Sequence, residues 1–102
     1  MTISLPVPEN ELKLLLDAFI SLKTEEECAA FLADAFTIKE VQDIAQRLEV
    51  ASLLANKKSY LEISKETGAS TATISRVNRC LTNGSNGYHI VLERLEQKNR
   101  SE

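Results

Sequence analysis

Between Ser59 and Leu81 the chain gathers hydroxyl and cationic side chains at helical spacing, SYLEISKETGASTATISRVNRCL. Ser59, Tyr60, Ser70, Thr71, Thr73 and Ser75 supply hydroxyls, and Lys57, Lys58, Lys65, Arg76 and Arg79 supply positive charge. Hydroxyls, guanidinium groups and small apolar groups such as the methyl of Ala72 contact phosphates and base edges in double-stranded DNA. Each has a plainer alternative. Arg76 also suits a ligand clamp or a surface ion pair, and Lys57 and Lys58 suit the C-terminus of a helix. Tyr60 suits packing with its hydroxyl in solvent, and Thr71 and Thr73 are what an ordinary helix start exposes.

Other chemistries find little to work with. His89 is the single histidine, and neither Cys28 nor Cys80 lies near it in sequence. No metal-ligand spacing, phosphate-cradling glycine loop or nucleophile motif occurs. The expectation is a protein that is no enzyme and holds no metal. The two cysteines read as buried or free thiols in a reducing cytoplasm. The start, MTISLPVPENE, lacks the basic and apolar regions of a signal peptide. No apolar run approaches the roughly 20 residues that cross a membrane. A cytoplasmic protein without a membrane partner is expected.

Net charge is −3 over 102 residues, an unpromising total for a nucleic-acid partner. Its distribution is more informative. Residues 1–56 hold four Lys/Arg against ten Asp/Glu, residues 57–81 five against two, and residues 82–102 three against three. Positive charge is thus concentrated where the hydroxyls are, as phosphate attraction requires.

Helices must position these groups. Tyr60, Ile63 and Thr67 share one helical face, and Ala69, Ile74, Val77 and Leu81 mark the buried side of a second helix, Ser70–Leu81. Gly68 falls at the sharp reversal between them, where a positive φ favours glycine. Two helices joined by a short glycine turn form a helix-turn-helix, whose second helix can enter the major groove. Upstream, Leu12, Leu15, Leu16 and Phe19 form a stripe, and Cys28, Phe31, Leu32, Ala35 and Phe36 a second. A longer third helix carries Val41, Ile44, Ala45, Leu48 and Ser52 on one face, widened by Val50, Leu53 and Leu54. Thr24 with Glu27, Thr37 with Glu40 and Ser59 with Glu62 are capping-box pairs, and Ser70 is a natural N-cap. After the turn cluster TNGSNG, a last helix starts near Tyr88, and the polar tail Gln97–Glu102 is expected to fray. The reading is an all-α, six-helix single domain spanning 1–102. Within it, 1–56 holds the N-terminal helices, 57–82 is the helix-turn-helix, and 83–102 is a turn and C-terminal helix.

The strings TGASTATISR and SYLEIS, the run TISRVNRCL and the following GSNGY resemble the Trp repressor superfamily, in particular its YerC/YecD branch. The resemblance implies six helices with the reader in the fourth and fifth, and an intertwined homodimer, built mainly by the helices of 1–56, that binds operator DNA. It places Ser59, Thr71, Ala72, Thr73 and Ser75 near DNA, with Tyr60 at the start of the first reader helix. Arg76 matches an arginine that helps hold the tryptophan corepressor, and Arg47 lies one position from the match to a second. Val77 stands where that repressor has a glycine that makes room for the indole, and Cys80 replaces a pocket serine. These two departures argue against L-tryptophan as corepressor and leave any small-molecule effector unidentified. The rival reading is a helical module that contacts the transcription machinery without sequence-specific DNA binding.

Overall fold

A computed structural model describes residues 3–101, and six α-helices make up its regular structure: α1 (Glu9–Ser21), α2 (Glu25–Ala35), α3 (Ile38–Ala55), α4 (Tyr60–Thr67), α5 (Thr71–Asn83) and α6 (Gly87–Ser101). No strand occurs among the described residues. Local chemistry sets most of the boundaries. Thr24 Oγ1 accepts from the Glu27 amide, and Thr37 and Glu40 cap each other reciprocally, the Glu40 amide bonding to Thr37 Oγ1 and the Thr37 amide to Glu40 Oε1. Pro8 stands at the N-cap of α1, where a missing N–H costs nothing. Gln97 to Ser101 continue as helix instead of fraying, with an Arg100–Glu96 pair four residues apart in the last turn; Glu102 lies outside the described residues.

Packing separates two compact units, one ending at Val41 and one beginning at Gln42, so the division falls inside α3. In the first, Phe19, Phe31 and Phe36 meet as a triad with ring centroids 5.4 to 6.4 Å apart. The Phe19–Phe31 and Phe31–Phe36 pairs are edge-to-face, an arrangement that contributes about 0.5–1.5 kcal/mol each beyond the buried area. Leu12 is the one buried side chain of that unit among the described residues, while Leu14 (73% exposed), Ile20 (82%) and Ile38 (79%) lie in water.

The second unit has a closed core of its own. Val50 and Ala51 of α3, Ile63 of α4, Ala69 of the turn, and Ile74 and Val77 of α5 are buried together. Leu53, Leu54, Leu81, Tyr88 and Leu92 pack around them. Each large side chain here contributes about 1.5–3 kcal/mol through burial. The α3 face facing this core is the one carrying Val50 and Ala51; Ile44 and Ala45, expected on the main stripe, are exposed. The helix is apolar on more than one side, so periodicity alone does not say which side turns inward.

Candidate nucleic-acid interface

The second unit is built around the α4–α5 turn. Gly68 adopts φ +74°, and its amide donates to the Ser64 carbonyl at 2.9 Å, ending α4 in the left-handed conformation that glycine favours. Three side-chain bonds lock the turn. Thr67 Oγ1 donates to the Ile63 carbonyl at 2.7 Å and accepts from the Ala69 amide at 3.1 Å, and Ser64 Oγ donates to the Ala69 carbonyl at 3.0 Å. Gln46 of α3 donates from Nε2 to the Thr67 carbonyl at 3.2 Å, satisfying an acceptor that the end of α4 leaves open.

Ser59 caps α4 in a complete capping box with Glu62. The Ser59 hydroxyl and its backbone amide hold the Glu62 carboxyl below its ordinary value of 4.5, with a smaller contribution from Lys58, 3.9 Å away. Ser70 caps α5, its Oγ accepting from the Thr73 amide at 3.1 Å and donating to Thr73 Oγ1 at 3.1 Å. Thr73 is therefore half-buried and its hydroxyl is engaged with the cap, whereas Thr71 and Ala72 are exposed at the start of α5. Ser75 is half-buried.

On α5, Ile74 and Val77 face the core. Ala72, Arg76, Arg79 and Asn83 recur at i, i+4, i+7 and i+11, which puts them on the opposite side, and all four are exposed. Arg76, Arg79, Cys80, Asn83 and Gly84 line one concavity of about 290 Å³. No acidic residue occupies the first turn of α5, so the positive end of its dipole is unopposed by its own side chains.

Lys57, Lys58, Tyr60 and Lys65 are exposed on the approach to α4 and along it. Lys57 has an unusual backbone. Its φ is +62°, its amide donates to the Leu54 carbonyl at 2.9 Å, and the Lys58 amide donates to the Leu53 carbonyl at 3.1 Å. This is a Schellman ending with lysine in the left-handed position that glycine usually takes. No signal in the sequence marks it.

A second, larger concavity of about 570 Å³ lies beside α5, lined by Ile44, Leu48, Cys80, Tyr88, Val91 and, from the turn, Gly84, Ser85 and Gly87. Burial pushes the Tyr88 phenol above its ordinary value of 10.0. The Cys80 thiol acts in the same direction, and Arg47 and Arg76 act against it. Both arginines expected as ligand contacts thus act on one hydroxyl, at a position where the sequence marks only the start of the last helix. Val77 is 2% exposed and belongs to the core. Both cysteines are free and exposed. No cluster of His, Cys, Asp and Glu able to hold a metal occurs among the described residues, and no described helix is long and apolar enough to cross a membrane.

Residues 10–96 match the profile of the Trp repressor protein family. The YerC protein of Bacillus subtilis strain 168 is 51% identical over 88 residues, covering 86% of this chain and 85% of that protein. A TrpR-like protein from Eubacterium eligens superposes with a TM-score of 0.84 at 46% identity, over 87% of this chain and 92% of that one. A structure described as a candidate Trp repressor from Staphylococcus aureus gives 0.85 at 40% identity, over 91% and 96%.

Proposed function

The chain belongs to the Trp repressor family, and from that premise we propose that it is a sequence-specific DNA-binding transcriptional regulator, acting as a repressor in the cytoplasm. The observation that carries this reading is the face of α5 opposite the core, where Ala72, Arg76, Arg79 and Asn83 line up behind a Ser70 cap and a Gly68 turn. In this reading α5 enters the major groove. Thr71 and Ala72 face base edges, directly or through bridging waters. Thr73 holds the helix start that presents them through the Ser70 cap, Ser75 lies near the DNA, and Ser59, Ser70 and Tyr60 lie where hydroxyls reach the DNA backbone. Lys57, Lys58, Lys65, Arg76 and Arg79 attract phosphates, so binding weakens steeply with salt.

A homodimer is part of the same reading. The apolar side chains that the first unit leaves in water, Leu14, Ile20 and Ile38 among them, form the kind of surface a second copy covers. Two reader helices then address half-sites about 34 Å apart. Arg47 and Arg76 are the residues proposed to meet a small effector, if the cavity beside Tyr88 takes one. Cys80, which stands where the family has a pocket serine, lines that cavity and supports the reading that this effector is not L-tryptophan.

Selection of bound duplexes from a random DNA pool, with and without L-tryptophan, tests the whole. Enrichment of a palindromic site, unchanged by tryptophan, is the expected result. Enrichment only with tryptophan would overturn the effector assignment, and no enrichment at low salt would leave the protein-interaction module as the better reading.

A further inference from the structure

The turn between α5 and α6 contains two asparagines, each followed by glycine, Asn83-Gly84 and Asn86-Gly87. An asparagine side chain is open to attack by the next residue's backbone nitrogen when that nitrogen can shed its proton and reach Cγ. A following glycine puts no Cβ in the path. The structure separates the two otherwise identical dipeptides.

At Asn83 the attack is blocked. Asn83 is the last residue of α5, and the Gly84 amide is engaged with the Cys80 carbonyl at 2.9 Å. Gly84 is held so tightly that an added Cβ would overlap that carbonyl, which leaves the peptide little room to turn. At Asn86 the attack is open. Gly87 is the first residue of α6, and its N–H is one of the donors a helix start leaves over. It finds no acceptor among the described residues. The positive end of the helix dipole favours negative charge developing on that nitrogen. Both residues are exposed, and no atom lies within 4 Å of the Cβ position on Gly87. Asn86 sits at φ +70°, in the left-handed region that asparagine adopts more readily than most residues with a side chain. One restraint works the other way: the Asn86 carbonyl accepts from the Ile90 amide at 3.1 Å.

We infer that Asn86 is a site of spontaneous deamidation. The Gly87 nitrogen bonds to Asn86 Cγ, and the side-chain nitrogen leaves as ammonia, taking up the amide proton. Water then opens the five-membered imide to aspartate or isoaspartate. The two products differ in consequence. Aspartate at this position is a good N-cap for α6. Isoaspartate lengthens the main chain at the start of α6, three residues before His89, whose Nε2 lies 2.7 Å from the Leu81 carbonyl of α5. That product pulls apart the junction holding the end of α5. The chemistry stands whether or not α5 binds DNA.

The purified protein is incubated in mildly alkaline buffer, native and urea-unfolded, and digested. Isoaspartate is located by enzymatic methyl transfer and peptide mass spectrometry. Residue 86 converts first in the native protein and Asn83 lags about tenfold, the factor for opening one or two local bonds; unfolding removes the difference. Gly87→Ala, which meets no neighbouring atom, slows conversion at 86 without altering the helical spectrum. Equal native rates at 83 and 86, or an unchanged rate in Gly87→Ala, would overturn the assignment.

Discussion

His89 donates from Nε2 to the carbonyl of Leu81 across 2.7 Å, tying the first turns of α6 to the last turn of α5. The Leu81 carbonyl is one of the acceptors a helix C-terminus leaves without an internal partner. The neighbouring Cys80 carbonyl is met by the Gly84 amide, and Thr82 Oγ1 bonds back to the carbonyls of Asn78 and Arg79. The candidate reader is thus anchored at its far end by side chains that never face its exposed stripe. His89→Ala should cost about 1 kcal/mol, the net worth of one such bond. DNA affinity should fall by a similar factor on all sequences, measured by denaturant unfolding and titration. A loss confined to one DNA sequence would contradict an anchoring role.

Lys57→Gly carries two opposite expectations. Relieving the left-handed φ should raise stability by up to about 1 kcal/mol. Removing a cation proposed to meet phosphate should flatten the dependence of log K on log salt by about one unit. Unfolding midpoints and a salt series read the two separately.

Gly68→Ala isolates backbone strain. No atom lies within 4 Å of the added Cβ, so the cost is the positive φ alone, about 1–2 kcal/mol. A loss much larger than that, by denaturant unfolding, would mean that the α4–α5 turn had rearranged.

Thr71→Ala should lower discrimination between specific and random duplexes more than total affinity, because a base-edge contact carries sequence information and a phosphate contact does not. Competition binding reads this directly. Thr73→Ala is a poorer probe, since its hydroxyl also serves the Ser70 cap.

Acid should act on α4 through Glu62. Its folded carboxyl lies below 4.5, chiefly through the Ser59 hydroxyl. The box therefore stabilises above the ordinary value and its contribution is lost as pH falls through the lowered one. Amide exchange at the start of α4 should accelerate over that window, and Glu62→Gln should abolish the acceleration. The same acid response in Glu62→Gln would place its origin elsewhere.

Helix boundaries were legible because they are local chemistry: each Ser or Thr with Glu three residues on became a cap with the predicted partner. The core of α4 and α5 was legible because each helix carries its own apolar face, Ile63 on α4 and Ile74 with Val77 on α5, on either side of the Gly68 turn. The buried face of α3 was not, because apolar residues on more than one side give periodicity no preference. Nor was the use of Thr73, since the hydroxyl that caps a helix is the hydroxyl that could read a base. Lys57 gave no warning, as its conformation is set by the two carbonyls it closes over. Tyr88 was missed because its surroundings come from α3 and α5, remote in sequence.

Tyr60 and Tyr88, the two tyrosines, both belong to the unit beginning at Gln42, while Phe19, Phe31 and Phe36 all belong to the unit ending at Val41. The chain has no tryptophan. Its tyrosine fluorescence therefore comes from the second unit alone, and loosening of α1 and α2 is dark to it. A single tryptophan placed in the first unit would give each half its own optical channel, and the two melting curves could be recorded from one cuvette.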